Sequence, residues 1–335
     1  MRLVIVGRGQ VGGAFSRLVT ERGDWLRKQY GIVPRIVAIV DSKGATIPPD
    51  GASASEVLEA LSRKYRKNAW ERIGITLQEV LEEVEADVLL EFTPTNLDSG
   101  QPGLGHIEAA MNKGLSVITA NKGPLALAMP ALLELAQYKR VEFRFSGTVG
   151  GGIPVLQFAK ECLDGNRIVA VEGVLNGTTN YILTRMYDSG VSLDAALVEA
   201  QREGYAETDP RIDLEGLDTA AKLVILSNWV TGGRLSIRDV SVEGITKVTA
   251  KMIEDAKRGG NAIKLLGSAA GLEALVQPQT ISCESPLCVS GTLNAISFRT
   301  EMAGTITLTG HGAGGAETAA AALRDLISIK QVLLD

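Results

Sequence analysis

The sequence predicts an α/β protein, a doubly wound parallel sheet followed by a second, α+β domain. Three observations carry this. Short apolar runs of the kind found in strands buried on both faces alternate with amphipathic helices over the first part of the chain. Strand and helix alternating in this way give right-handed crossovers and a parallel sheet. After about residue 140 the pattern changes, and 335 residues exceed what one small core requires.

The elements follow in order. Residues 2–6 (RLVIV) form a first strand, and GRGQVGGAFSRLVTERG continues as a turn and an amphipathic helix. RIVAIV is a second strand, ending at Asp41. ADVLLEFT and LSVITAN are two more, with the helix GHIEAAMNKG between them. VEFRFSGTVGGGIPVL predicts a strand, a glycine-rich turn and a helix started by Pro154, whose fixed φ and missing N–H suit a first helical turn. RIVAVEGVLNGTTNYILTRM repeats strand, turn and helix. Between 192 and 258 the pattern is mostly helical, broken at Gly204 and at Gly232–Gly233. Residues 262–309 read as β-rich, His311 falls in the glycine-rich turn TGHGAGG, and GGAETAAAALRDLISIKQVLLD closes as a helix.

Composition removes several function classes. A formal net charge of −5 with no basic cluster argues against nucleic acid as a partner. No apolar run approaches the roughly 18 residues of a membrane span, and the N-terminus lacks the apolar core and cleavage site of a signal peptide. The expectation is a cytoplasmic protein with reduced thiols. Its three cysteines (Cys162, Cys283, Cys288) form no CxxC pair, and with only two histidines a Cys/His zinc site is not expected.

Two segments carry chemistry. Gly7-x-Gly9-x-x-Gly12 stands between the first strand and the first helix. Gly7 permits a tight turn, Gly9 admits a pyrophosphate beside the backbone, and Gly12 allows close helix–strand packing. The N–H groups of the helix start, around Gln10 and Val11, then face the phosphates. This is the dinucleotide fingerprint of a Rossmann-type fold, and NAD or NADP is the expected cofactor. Asp41, at the end of the second strand, suits the ribose hydroxyls of NAD, whereas Lys43 suits a 2′-phosphate, so both cofactors stay open. Lys122, in TANKGPLA, follows a parallel strand at the carboxyl edge where α/β ligands bind.

The second segment is GYAETDPRIDLEGLDTAAK, residues 204–222, with Glu207, Asp209, Asp213, Glu215 and Asp218 close together. The stretch EGLDTAAKLVILSNW reads as one helix whose buried stripe runs Leu214, Asp218, Lys222, Ile225, Trp229. An exposed Asp218–Lys222 pair would be worth a few tenths of a kcal/mol. On an apolar stripe the pair is buried instead, and it suits a site that gives or takes a proton.

Together LNGTTNYIL, GYAETDPRIDLEGLDTAAKL, TANKGPLA, TVGGGIP and GHGAGGAETAAAAL resemble homoserine dehydrogenase, in order, over nearly the whole chain. The resemblance implies NAD(P)-dependent interconversion of L-homoserine and L-aspartate 4-semialdehyde, in the biosynthesis of threonine, methionine and isoleucine. It implies a nucleotide-binding domain over 1–140, completed by the helix 315–335, and a catalytic and dimerisation domain over 141–314. Lys222 then supplies the proton to the carbonyl oxygen, with Asp218 as its partner. Glu207 holds the substrate ammonium, and Tyr205, Asp213, Gly177 and Thr178 shape the same pocket. Lys122 lies beside nicotinamide and substrate, and Thr93 and Gly314 are further cofactor contacts. A homodimer built partly from 285–310 is implied as well.

Two departures from the family pattern stand out. The family often binds a monovalent cation (Na⁺ or K⁺) at a loop matching SGTVGGGIP, through carbonyls that correspond to Val149, Gly151 and Ile153 and through a glutamate. That glutamate is Ser146 here, a poorer cation ligand. Many relatives also carry a further regulatory domain or a fused kinase, for which the chain has no room after its closing helix. Two rival readings are another NAD(P) oxidoreductase of amino-acid aldehydes or keto acids and a non-catalytic dinucleotide sensor. A thioester-forming semialdehyde dehydrogenase needs a low-pKa thiolate, and none of the three cysteines sits in a suitable context. A sensor predicts a broken polar constellation, whereas Glu207, Asp218, Lys122 and Lys222 are all present.

Overall fold

The computed structural model describes residues 1–50, 52, 54–62, 70–271 and 273–332. The chain divides into two compact units, Met1–Thr148 with Gly314–Asp335, and Val149–Ala313. The last three residues of the expected closing helix lie outside the described residues.

The first unit is a seven-stranded sheet of β1 (Arg2–Val6), β2 (Arg35–Asp41), β3 (Gly44–Thr46), β4 (Glu71–Ile73), β5 (Val88–Glu91), β6 (Ser116–Thr119) and β7 (Phe143–Arg144). Their spatial order is β4-β3-β2-β1-β5-β6-β7. From β2 to β7 neighbours are parallel, and β3 and β4 add an antiparallel edge. Those two edge strands are three residues each, too short for alternation to register in the sequence. Chain order reverses at β1, which lies between β2 and β5, so the ligand crevice of this topology opens at the carboxyl ends of these strands.

Leu3, Ile5, Phe15, Leu90 and Ile118 form the core of this unit. Ala319, Ala322, Leu326 and Ile329 of the helix Gly315–Val332 pack into the same cluster, so a segment distant in sequence closes it. Asp325, on that helix, is wholly buried. It accepts hydrogen bonds from the Ser146 backbone N–H (2.9 Å) and hydroxyl (2.5 Å). Burial pushes its carboxyl up from 3.8 to about 6, because the ionised form loses more hydration than the two Ser146 bonds return.

The second unit is a six-stranded sheet of β8 (Ile168–Val174), β9 (Ser241–Val242), β10 (Asn261–Ala270), β11 (Glu273–Ser282), β12 (Leu293–Thr300) and β13 (Thr305–His311), in the order β13-β12-β8-β10-β11-β9. All its pairings are antiparallel except β11 with β9. His311 is therefore the last residue of a strand, where the sequence suggested a turn. Pro154 also sits one place outside its expected position, as the cap before the single turn Val155–Gln157.

The acid-rich helix differs more. It runs Leu217–Thr231, and every residue from Asp218 to Asn228 is buried, so it is buried all round where a one-sided stripe was expected. Leu214 belongs to a separate short turn, Arg211–Leu214. Gly216 makes the break at φ +85, and a Cβ there would press on Val242 and Val276 at 3.1 and 3.2 Å. The helix stops at Gly232, φ +67.

The Asp325 carboxyl yields a signed expectation. Its folded pKa is raised, so the native state holds the proton more tightly than the unfolded chain. Its contribution to stability is full below pH ~4 and is lost as pH rises to ~6, a change of about 3 kcal/mol at most. Asp325→Asn should flatten stability against pH in that window and leave the variant the more stable protein above it. Thermal melts from pH 4 to 8 test this, and parallel curves for the two proteins would refute it.

Candidate active site

Two groups of polar residues are built, one in each unit. In the second, Asn176 follows β8 and caps the helix Gly177–Ser189, its Oδ1 accepting from Thr179 N–H at 2.8 Å. Its amide nitrogen donates to Asp213 Oδ1 at 2.6 Å and to Asp218 Oδ2 at 2.9 Å. Lys222 Nζ lies 2.6 Å from Asp218 Oδ2 and donates to the Leu175 carbonyl at 2.7 Å. Lys222 and Asp218 are 6% and 7% exposed, which places the pair beyond the weak surface class. An ammonium has three donors, and these contacts occupy two.

Asp213 completes the cluster. Burial and then the charge of Asp218 push its carboxyl above the usual range, against the pull of Asn176 and Lys222. Thr178 is tied in through its hydroxyl, which donates to the Tyr205 carbonyl at 2.8 Å. The remaining acids stay apart. Asp209 is forked by Arg211, which holds it at about 2. Glu215 and Glu207 are exposed, and Tyr205 is half-exposed with its ring 4.8 Å from that of Tyr181. Asn176 escaped the sequence reading, although it stands beside Gly177 and Thr178 where a cap belongs.

In the first unit the glycine loop has the geometry its spacing implies. Gly7 is at φ +105, and a Cβ there would strike the Phe92 carbonyl at 2.6 Å. A Cβ on Gly12 would lie 2.0 Å from the Gly7 carbonyl, so only glycine lets helix and strand approach this closely. At Gly9 nothing lies within 4 Å of such a Cβ, and no side chain caps the helix Gln10–Glu21 that starts there. Its N–H groups at Gln10 and Val11 are thus open to an anion, and the loop fits a dinucleotide pyrophosphate. Gly314, at φ +132, leads into the closing helix, where a Cβ added to Gly315 would lie 3.3–3.5 Å from Gln10.

At the neighbouring edge Glu91 is wholly buried and binds Thr93 through both its N–H (3.1 Å) and its hydroxyl. Thr119 donates to the other carboxylate oxygen at 3.3 Å, and His106 Nδ1 lies 3.5 Å from the first. Asn121 donates to Thr93 Oγ1 at 3.1 Å and caps the helix Lys122–Lys139 through Gly123 N–H. Lys122 is the first residue of that helix, half-buried.

A monovalent cation fits poorly. The Ser146 hydroxyl is spent on Asp325, and the Ile153 carbonyl already accepts Val155 N–H at 2.8 Å. Val149 and Ile153 are buried, and Gly151, at φ +51, would press a Cβ on Gly312 at 2.8 Å. Among the described residues no three His, Cys, Asp or Glu side chains gather as a metal site.

Comparison with known proteins matches residues 154–327 to the family model for homoserine dehydrogenase. A homoserine dehydrogenase of Methanocaldococcus jannaschii is 42% identical over 98% of both chains. An NAD⁺-dependent homoserine dehydrogenase of Pseudomonas canavaninivorans is 36% identical over 98% of this chain and 96% of its own. Among solved structures, a homoserine dehydrogenase of Thiobacillus denitrificans superposes with TM-score 0.86 at 31% identity, covering 100% of this chain and 74% of the other. A hyperthermophilic archaeal homoserine dehydrogenase in complex with NADPH gives 0.84 at 28%, covering 99% and 98%.

The Asn176 bridge can be tested directly. Asn176→Ala removes a helix cap and the donor between two carboxylates, so urea denaturation should show a loss of about 2 kcal/mol. A loss under about 0.5 kcal/mol, the level of an ordinary surface change, would mean that Asn176 bridges nothing of consequence.

Proposed function

Since this chain belongs to the homoserine dehydrogenase family, we propose residue roles for its reaction, the NAD(P)-dependent interconversion of L-homoserine and L-aspartate 4-semialdehyde. The bound nicotinamide supplies or accepts the hydride. The remaining chemistry falls to the protein's own side chains, and the observation that carries the reading is the buried Lys222–Asp218 pair. In the reducing direction negative charge grows on the aldehyde oxygen as hydride reaches its carbon. The third N–H of Lys222 stabilises that oxygen and delivers the proton. Asp218 holds the ammonium in place, the Leu175 carbonyl fixes its second donor, and Asn176 aims the carboxylate.

Glu207, exposed on the loop beside Tyr205, holds the substrate ammonium. Thr178, Tyr205 and Asp213 shape the surroundings, and the N–H groups at Gly177 and Thr178 receive the substrate carboxylate. Gly7, Gly9, Gln10, Val11 and Gly12 cradle the pyrophosphate. Thr93, pinned by Glu91, and Gly314 are further cofactor contacts. The poor cation fit argues that turnover needs no monovalent metal. The enzyme serves amino-acid biosynthesis, and the reading places it on the route to threonine, methionine and isoleucine. It also makes the protein a cytoplasmic homodimer joined partly through β12 and β13. Among the described residues no helix is long and apolar enough to cross a membrane.

The direct test is absorbance at 340 nm with homoserine and NAD⁺ or NADP⁺. Within it, Lys222→Ala should lower kcat at least ~100-fold while nucleotide binding persists, because a general acid contributes that much and the nucleotide cradle is a different segment. Retention of a tenth of the wild-type kcat would remove Lys222 from proton transfer.

Glu207→Gln keeps shape and loses charge. It should raise KM for homoserine more than it lowers kcat, since an ammonium contact acts alike in ground and transition states. An unchanged KM would assign the ammonium to another residue.

A further inference from the structure

The glycine loop after β1 marks where a pyrophosphate lies, and the two halves of a dinucleotide then extend to either side along the carboxyl edge of the sheet. On one side β2 ends at Asp41, whose carboxylate lies 3.3 Å from Arg8 Nε and accepts the Lys43 backbone N–H at 2.8 Å. On the other side β5 ends at Glu91, and a Cβ on Gly7 would meet Phe92 and Thr93, the two residues that follow. The adenosine half belongs over β2, so the nicotinamide half belongs over β5 and β6. Glu91 is the charge that the fold builds into that end.

The surroundings of Glu91 hold it as an anion. It is wholly buried, and Thr93 N–H, the Thr93 hydroxyl and the Thr119 hydroxyl all donate to it, the pattern a carboxylate requires. The helix Gly103–Asn112 begins against it, since a Cβ on Gly103 would lie 3.2 Å from Glu91 Oε2, and the positive end of a helix favours the ionised form. Neutral donors hold a charge without cancelling it. Asp41 has a guanidinium beside it, whereas the ion-pair contact of Glu91 among the described residues is His106 Nδ1, at 3.5 Å, which makes no hydrogen bond. Lys122, half-buried at the start of the next helix, shares its charge with solvent and is screened more strongly than a charge inside the sheet.

We propose that the Glu91 carboxylate sets the preference of this protein for the oxidised over the reduced nicotinamide. The proposal rests on the dinucleotide reading of the same strand edge and adds the oxidation state that the protein holds more tightly. The oxidised ring is positive and the dihydro ring neutral, so a fixed anion stabilises the first alone. Two unit charges about 10 Å apart, in an effective dielectric of about 20, shift an equilibrium constant roughly tenfold. The same field favours aldehyde reduction, because loss of hydride leaves positive charge on the ring as the transition state forms.

Calorimetric titration with NAD⁺, NADH and ADP-ribose, or with their 2′-phosphorylated forms, reads this without turnover. ADP-ribose lacks the ring and calibrates the rest of the site. Wild-type protein should bind NAD⁺ at least as tightly as NADH. Glu91→Gln, which keeps shape and loses charge, should weaken NAD⁺ ~10-fold relative to NADH and leave ADP-ribose within a few-fold. Glu91→Asp keeps the charge and should keep the wild-type ratio. So should Thr119→Val, which removes a hydrogen bond from Glu91 and leaves its charge. The shift should persist at high salt, because screening acts weakly on a buried charge. A residue that only braces the fold would weaken all three ligands alike, and that result in Glu91→Gln would overturn the proposal. A wild type that holds NADH ~10-fold more tightly than NAD⁺ would overturn it as well, and that measurement needs no variant to fold. Failure of the wild type to bind even ADP-ribose would instead sink the dinucleotide reading beneath it.

Discussion

A lysine ammonium and an aspartate carboxylate inside a helix that is buried on every side set the terms for the second unit. Taking two charges out of water costs several kcal/mol per ion, and their attraction offsets this only when every remaining donor and acceptor is placed. The placing here is done by backbone and amide groups of a different segment. Leu175 gives its carbonyl to Lys222, and Asn176 gives its amide to Asp218. Those two residues join β8 to the helix Gly177–Ser189, so the site exists only where that connection and the buried helix Leu217–Thr231 come together. Asp213 is drawn in as a third ionisable group, and burial, with the charge of Asp218 beside it, pushes its carboxyl above the usual range.

The first unit solves a different problem with different means. It presents backbone to a ligand, so its decisive residues are those without side chains. Gly7 and Gly12 are held by contacts no other residue could make, while Gly9 faces open space. Where side chains do matter, Thr93 is locked by the buried Glu91 and Asn121 in turn by Thr93. Position is therefore fixed before any ligand arrives, the preorganisation that binding sites on α/β edges need.

Much of this was legible in the residue order. The parallel strands announced themselves as apolar runs, the glycine spacing gave the cradle, and Asp218–Lys222 stood out as charges on an apolar stripe. What escaped has physical reasons. Strands of three residues leave no period to detect, as at Gly44–Thr46. A glycine at positive φ looks like any other glycine, so Gly216 did not reveal that Leu214 lies outside the helix. Asn176 acts through a partner distant in sequence, Asp218, and pairwise proximity of that kind is invisible along a chain. The Ser146 departure was seen, but its cause was not, because the residue that occupies the hydroxyl is Asp325.

The union of Ser146 with Asp325 spans 179 positions, and the whole of the second unit is encoded between them. During synthesis the ribosome therefore releases a nucleotide-binding sheet that lacks its closing helix. Val149–Ala313 can assemble while the first half waits with Leu3, Ile5 and Phe15 uncovered on one side. The unit made first is thus the unit finished last. A nascent chain of this protein passes through an interval in which apolar surface is exposed by the order of translation alone, and a chaperone that shields such surface would find its substrate there.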